Sequence, residues 1–241
     1  MNFKKPKFWD YRKISFWLII LLPLSVIYLL INWIRRITLV FRTYPKHICP
    51  IICVGNIYLG GTGKTPLARK IFNITKSLGK NPAFVKKHYD YLGDEIGMLK
   101  ETGATFATST RQAGILLSNA NNHDVIILDD GFQDFSIRPD FAILCFNSKQ
   151  LIGNGFVIPS GPLRERLNAV LRANCIVING DKTEETIEFE KKIKRNLGNK
   201  KLYFFYSKYK IKNIEKLKNK EITAFAGIGN PSNFFDLLKE I

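Results

Sequence analysis

Residues 48–65, ICPIICVGNIYLGGTGKT, constrain this chain more than any other stretch. An apolar run that reads as a buried strand breaks into a glycine-rich turn, and the turn opens a helix-compatible pattern. That order predicts a phosphate-binding loop, because free backbone N–H groups and the helix dipole at a helix N-terminus favour a polyphosphate. Gly60, Gly61, Thr62 and Gly63 wrap close around phosphate oxygens, Lys64 reaches the β- and γ-phosphates, and the Thr65 hydroxyl is placed to ligate Mg²⁺. The usual pattern, G-x-x-x-x-G-K-[ST], wants glycine at position 58, where this chain has Tyr58. Pro66 is tolerated, since the first helical turn does not need its N–H. An ordinary glycine-rich turn with a surface lysine is disfavoured by the strand, loop and helix following in the right order.

The rest of the chain continues an α/β alternation. Helices are expected over residues 67–78 (closed by Gly79), 111–120 and 183–197, and strands over 81–85, 104–107, 125–128, 141–146 and 175–178. Strands alternating with helices imply right-handed crossovers and a mainly parallel sheet covered on both faces. Such a fold is P-loop NTPase-like. The expected organisation is a membrane-anchoring segment at 1–46, a phosphate-loop unit at 47–200, and the start of a further unit at 201–241, comprising the runs 202–206 and 222–226 and a helix after Pro231.

Charge is uneven along the chain. Of a formal net charge of +17, residues 1–46 carry nine Lys or Arg against one Asp. They flank residues 14–34, ISFWLIILLPLSVIYLLINWI, in which there is no charge. As a helix this run is about 31 Å long, enough to cross a hydrocarbon core of about 30 Å. Pro23 near its middle and basic residues on both sides leave its orientation open, and Trp9, Trp17 and Trp33 suit the interfacial belt. An anionic membrane surface is therefore the expected partner. Nucleic acid is not, since no zinc-finger spacing or other recognisable binding motif accompanies the charge. Cys49, Cys53, Cys145 and Cys175 all lie in or beside apolar strands and read as reduced, buried thiols of a cytoplasmic protein.

Three further segments can carry chemistry. VIILDDG, residues 125–131, is an apolar strand ending in Asp129 and Asp130, where a carboxylate meets the metal beside a phosphate loop. One of the pair can hold Mg²⁺ or its water while the other anchors the loop. GDE, residues 93–95, lies in an expected polar loop, and Asp94 or Glu95 could take the proton of an attacking hydroxyl; a helix cap with an acidic first turn is the alternative. GNGFVIPSGPLRERL, residues 153–167, is too long for a simple turn, and its Arg164 is a candidate phosphate clamp.

The order VGNIYLGGTGKTP, GDE, LDDGFQ, GNGFVIPSGPLRE and FAGIGNPSNFF closely resembles the tetraacyldisaccharide 4′-kinase family, the lipid A kinases of Gram-negative bacteria. The resemblance implies a membrane-associated enzyme at the cytoplasmic face of the inner membrane. It would transfer the γ-phosphate of ATP to the 4′-hydroxyl of a lipid A disaccharide 1-phosphate. It implies nucleotide and Mg²⁺ roles for Lys64 and Thr65, a catalytic base in Asp94, and an acidic pair in Asp129 and Asp130. The chain departs from the family where LDDGFQH has Asp134 in place of histidine, where KKHYDY stands for a longer RGYG-containing stretch, and where a histidine-containing F-x-D-H segment is expected after FAGIGNP. The last departure motivates a catalytically weakened, truncated member as one alternative. The other is a membrane-recruited regulatory ATPase or GTPase. For a guanine-specific protein an N-K-x-D element is needed, and Asn179-Gly180-Asp181 lacks that spacing.

Overall fold

The computed structural model describes residues 5–11, 14–40, 47–89, 93–198, 200–210, 215, 223–226 and 231–239. A short 3-10 helix, Lys7–Trp9, precedes the long helix α1, Phe16–Val40. There follow β1 (Ile51–Gly55), α2 (Lys64–Ser77), β2 (Pro82–Lys87), α3 (Gly93–Lys100), β3 (Thr105–Thr108), α4 (Arg111–Ala120), β4 (Val125–Asp129) and β5 (Phe141–Asn147). The chain continues with β6 (Cys175–Asn179), α5 (Glu184–Arg195), β7 (Tyr203–Ser207) and α6 (Pro231–Leu238).

The seven strands form one sheet in the order β3-β2-β4-β1-β5-β6-β7, with every pairing parallel. Parallel strands covered on both faces read as continuous apolar runs, as β4 and β6 do, because side chains of both parities must be buried. Alternate residues of these strands divide between two cores. Val54, Phe84 and Ile127 pack with Ala68 and Phe72 of α2, Phe72 and Phe84 stacking at 4.6 Å. Cys53, Val85, Ile126, Leu128 and Phe146 face the other way, toward Ile115 of α4 and Phe189 and Ile193 of α5.

β7 pairs with β6 from Cys175↔Tyr203 to Asn179↔Ser207, so the run expected to open a new unit after residue 200 is an edge strand of the same sheet. Tertiary pairing overrides the Lys-rich composition that suggested a boundary there. In the run 222–226, residue 222 lies outside the described residues and 223–226 have no regular structure. The GDE segment is also corrected. Gly93, Asp94 and Glu95 form the first turn of α3 rather than a loop, and Ile96 and Leu99 dock that helix on the core.

α1 is the expected apolar helix, extended at its C-terminal end, with Pro23 inside it. Residues 16–38 have a mean hydropathy of 2.2 and are long and apolar enough to cross a membrane by length and composition. It touches the sheet domain along one narrow line. Ser25 Oγ donates to the Val157 carbonyl at 3.0 Å and contacts Ser160 Oγ at 2.8 Å, and the Tyr28 hydroxyl donates to the Arg164 carbonyl at 2.9 Å.

Candidate active site

β1 lies between β4 and β5, where the strand order changes direction, and ligands of open α/β sheets bind beyond the strand C-termini at such a point. Residues 56–63 form the loop there. Gly60 (φ +144°) and Gly63 (φ +81°) occupy backbone regions that side chains rarely adopt, and a Cβ on Gly63 would overlap Asn179 Nδ2. Glycine is thus needed beside the lysine. At position 58 the backbone is not left-handed, which allows Tyr58 to stand where the common pattern has glycine. Its ring is buried, and its hydroxyl donates to Asp10 Oδ1 at 3.1 Å and accepts from Lys5 Nζ at 2.9 Å. The Asn56 amide closes the loop from within, donating to the Tyr58 carbonyl at 2.6 Å and to Thr62 Oγ1 at 2.9 Å.

The register Val54↔Asp129 sets Asp129 beside this loop, on the face that α2 covers. Its carboxylate is fully buried. Thr65 Oγ1 donates to Oδ2 at 3.0 Å, Lys86 Nζ donates to the same oxygen at 2.6 Å, and Oδ1 has no partner among the described residues. Asp130 has turned out of the strand, with φ +58°. Arg164 Nη1 lies 2.9 and 3.1 Å from its two carboxylate oxygens, and Lys64 Nζ is 3.9 Å away. Burial pushes the Asp130 carboxyl up, but Lys64 and Arg164 outweigh it and hold the group below the usual carboxylate range. The two neighbouring aspartates therefore have different surroundings, one under the loop and one at the cleft wall. Arg164, expected as a phosphate clamp, is bound here to Asp130.

Asp94 and Glu95 line the same cleft. Glu95 accepts from Lys86, whereas Asp94 has no hydrogen bond or ion pair among the described residues. The cleft measures about 1950 Å³, and its walls include Lys64, Thr65, Asp130 and Arg164 as well as Leu29, Leu30 and Trp33 of α1.

Several residues at the site have no signal in spacing. Lys86 is buried at the end of β2; burial alone would lower its pKa, but Asp129 and Glu95 reverse this and hold it above the ordinary lysine value. Arg111 Nη2 donates to the Asp130 carbonyl at 2.6 Å and Nη1 to Asp134 Oδ2 at 3.0 Å, bracing the left-handed turn. Gln133, inside the LDDGFQ motif, donates to the Asn56 carbonyl at 2.8 Å. Asn179 donates to the Thr62 carbonyl, so its amide braces the phosphate loop instead of being free to read a base, and Asp181 pairs with Lys208. The four cysteines are buried free thiols, Cys53 being pushed up to about 12 by burial.

A parallel sheet with a glycine loop, lysine and threonine at its switch point, and a buried aspartate on the neighbouring strand, makes this a P-loop NTPase-like protein. Comparison with known proteins narrows the class. The sequence profile of the Tetraacyldisaccharide-1-P 4′-kinase (LpxK) family matches residues 17–91 and 86–241, and the chain belongs to that family. Tetraacyldisaccharide 4′-kinase of Pelagibacter ubique is 39% identical over 240 residues, which are 99% of this chain and 74% of that protein. The protein of the same name from Rickettsia canadensis is 35% identical, over 97% of this chain and 73% of its own length. Among solved structures, LpxK from Aquifex aeolicus in complex with ATP superposes with a TM-score of 0.60 at 23% identity, covering 88% of this chain and 86% of that one.

Proposed function

We propose that this protein transfers the γ-phosphate of ATP to the 4′-hydroxyl of a lipid A disaccharide 1-phosphate, at the cytoplasmic face of the inner membrane. One observation carries the reading: the phosphate loop and the apolar helix α1 face a single cleft. A polyphosphate and an amphiphile can meet there without either leaving its own environment.

Each residue then has a task. Backbone N–H groups of residues 60–65 and the Lys64 ammonium hold the β- and γ-phosphates in a fixed field, which favours the charge that develops in transfer. The 4′-hydroxyl oxygen attacks the γ-phosphorus, its proton passes to Asp94, the bond to the β–γ bridging oxygen breaks, and ADP departs. Asp130 and Arg164 neutralise one another at the cleft wall, beside Lys64. Thr65 Oγ1 and the unpartnered Asp129 Oδ1 are hard oxygen donors and fit Mg²⁺, which is commonly held by one or two carboxylates plus substrate phosphates. Bound there, the ion would supply positive charge that offsets the negative charge of the nucleotide's phosphates.

The anchoring role of residues 1–46 rests on α1, whose apolar side chains are mostly bare in the described structure. Membranes containing the protein, incubated with ATP and lipid A disaccharide 1-phosphate, should yield the 4′-phosphorylated lipid. ATP consumption with no phosphorylated lipid would overturn the kinase reading in favour of a regulatory ATPase.

A further inference from the structure

β2 lies beside β4 in the register Phe84↔Ile127 and Val85↔Leu128. The next position on each strand places Lys86 abreast of Asp129, on the face toward α2, because neighbouring residues of parallel strands share a face. The Lys86 side chain is only 3% exposed. Its ammonium donates to Asp129 Oδ2 at 2.6 Å and to Glu95 Oε2 at 2.5 Å. An ammonium removed from water is costly unless it is paired on more than one side, and here one partner, Glu95, lines the cleft while the other, Asp129, is buried against Thr65 at the phosphate loop. Glu95 is itself about half exposed and adjoins Asp94 in the first turn of α3. Ile96 and Leu99 are the residues of α3 that are buried, whereas Gly93, Asp94 and Glu95 of its first turn are exposed, so apolar packing does not hold that turn.

We propose that Lys86 is a positioning residue for the transfer reaction: by bonding Asp129 and Glu95 together it fixes the first turn of α3, and with it Asp94, against the phosphate loop. The same contact occupies Asp129 Oδ2, already bonded by Thr65, so that among the described residues Oδ1 is the carboxylate oxygen left without a hydrogen bond. This inference rests on the kinase reading above. Its physical basis is reach. A general base displaced by about 1 Å loses on the order of 10²-fold in rate, with little change in the binding of a nucleotide held by other groups.

The test uses the full chain in membranes, with kcat and KM for ATP measured for the wild type, Glu95→Ala, Lys86→Met and the double variant. Glu95→Ala should lower kcat by about 10-fold to 10²-fold and leave KM for ATP within about twofold. The double variant should be no slower than Lys86→Met alone, because both changes cut one tether. A wild-type kcat in Glu95→Ala, a raised KM with unchanged kcat, or losses that multiply in the double variant would each overturn the proposal. Should Lys86→Met not fold, Glu95→Ala decides by itself, since its side chain is half in solvent and its removal leaves no buried charge alone. If the wild type phosphorylates no lipid, the kinase reading and this one fall together; if it does and Glu95→Ala matches it, only the role of Lys86 falls.

Discussion

β4 and α1 are both strongly apolar, and the protein treats them in opposite ways. All five residues of β4 are buried between helices and sheet neighbours. In α1, Ile20, Ile27 and Ile31 stand in the open, while the polar Ser25 faces the sheet domain and is 4% exposed. A helix on the surface of a soluble domain has the reverse arrangement, apolar inward and polar outward. The contrast has a backbone cause. A strand leaves its N–H and C=O groups for neighbours to satisfy, so it must enter a sheet, whereas a helix satisfies its own and can present bare side chains to lipid. Apolarity therefore says that a segment must leave water; hydrogen bonding decides whether protein or membrane receives it.

The largest expected effect tests whether the chemistry belongs to the buried half alone. Asp94→Asn should lower lipid phosphorylation by about 10²-fold or more with ATP affinity nearly unchanged, in membranes and in detergent alike. Normal turnover with a lowered thermal midpoint would reduce Asp94 to a helix-start residue. Lys64→Ala should lower turnover on the order of 10²-fold to 10³-fold and weaken ATP binding as well, which equilibrium nucleotide titration reads directly.

The comparison itself is sharpened by one deletion made at two places. Ile127→Ala in β4 should cost about 2–5 kcal/mol in denaturant unfolding, because a cavity opens between α2 and the sheet. Ile27→Ala, on the open side of α1, should stay within about 0.5 kcal/mol. Equal losses would mean that protein covers both. Ile20→Lys together with Ile27→Lys should move folded protein from the membrane fraction to the soluble one, since each lysine costs about 2.5–3.5 kcal/mol at the centre of a membrane helix. Retention in membranes washed with high salt would break the assignment of that face to lipid. The seam between the two regions lies between those limits: Ser25→Ala should cost about 1 kcal/mol, measured as a shift of the unfolding midpoint.

Local features of the sequence determined the kinds and order of elements. Glycines placed beside Lys64, an apolar run ending in two aspartates, and Gly79 after the helix that follows the loop each act within a few residues, so they are legible without neighbours. The same is true of the glycine loop, Thr65 and the acidic pair, which the fold brings together, and of the membrane-length run. Only tertiary structure decided how the acidic pair divides, with Asp129 under Thr65 and Lys86 and Asp130 against Arg164 and Lys64. It alone showed that Tyr58 is held by Lys5 and Asp10 from the N-terminal segment, that Asn179 braces the loop, and that β7 closes the sheet edge. Lys86 and Asp129 are 43 residues apart, and nothing in their spacing pairs them. Their contact depends on β2 lying next to β4 in one register, a choice made by how two apolar faces of the whole sheet are buried at once.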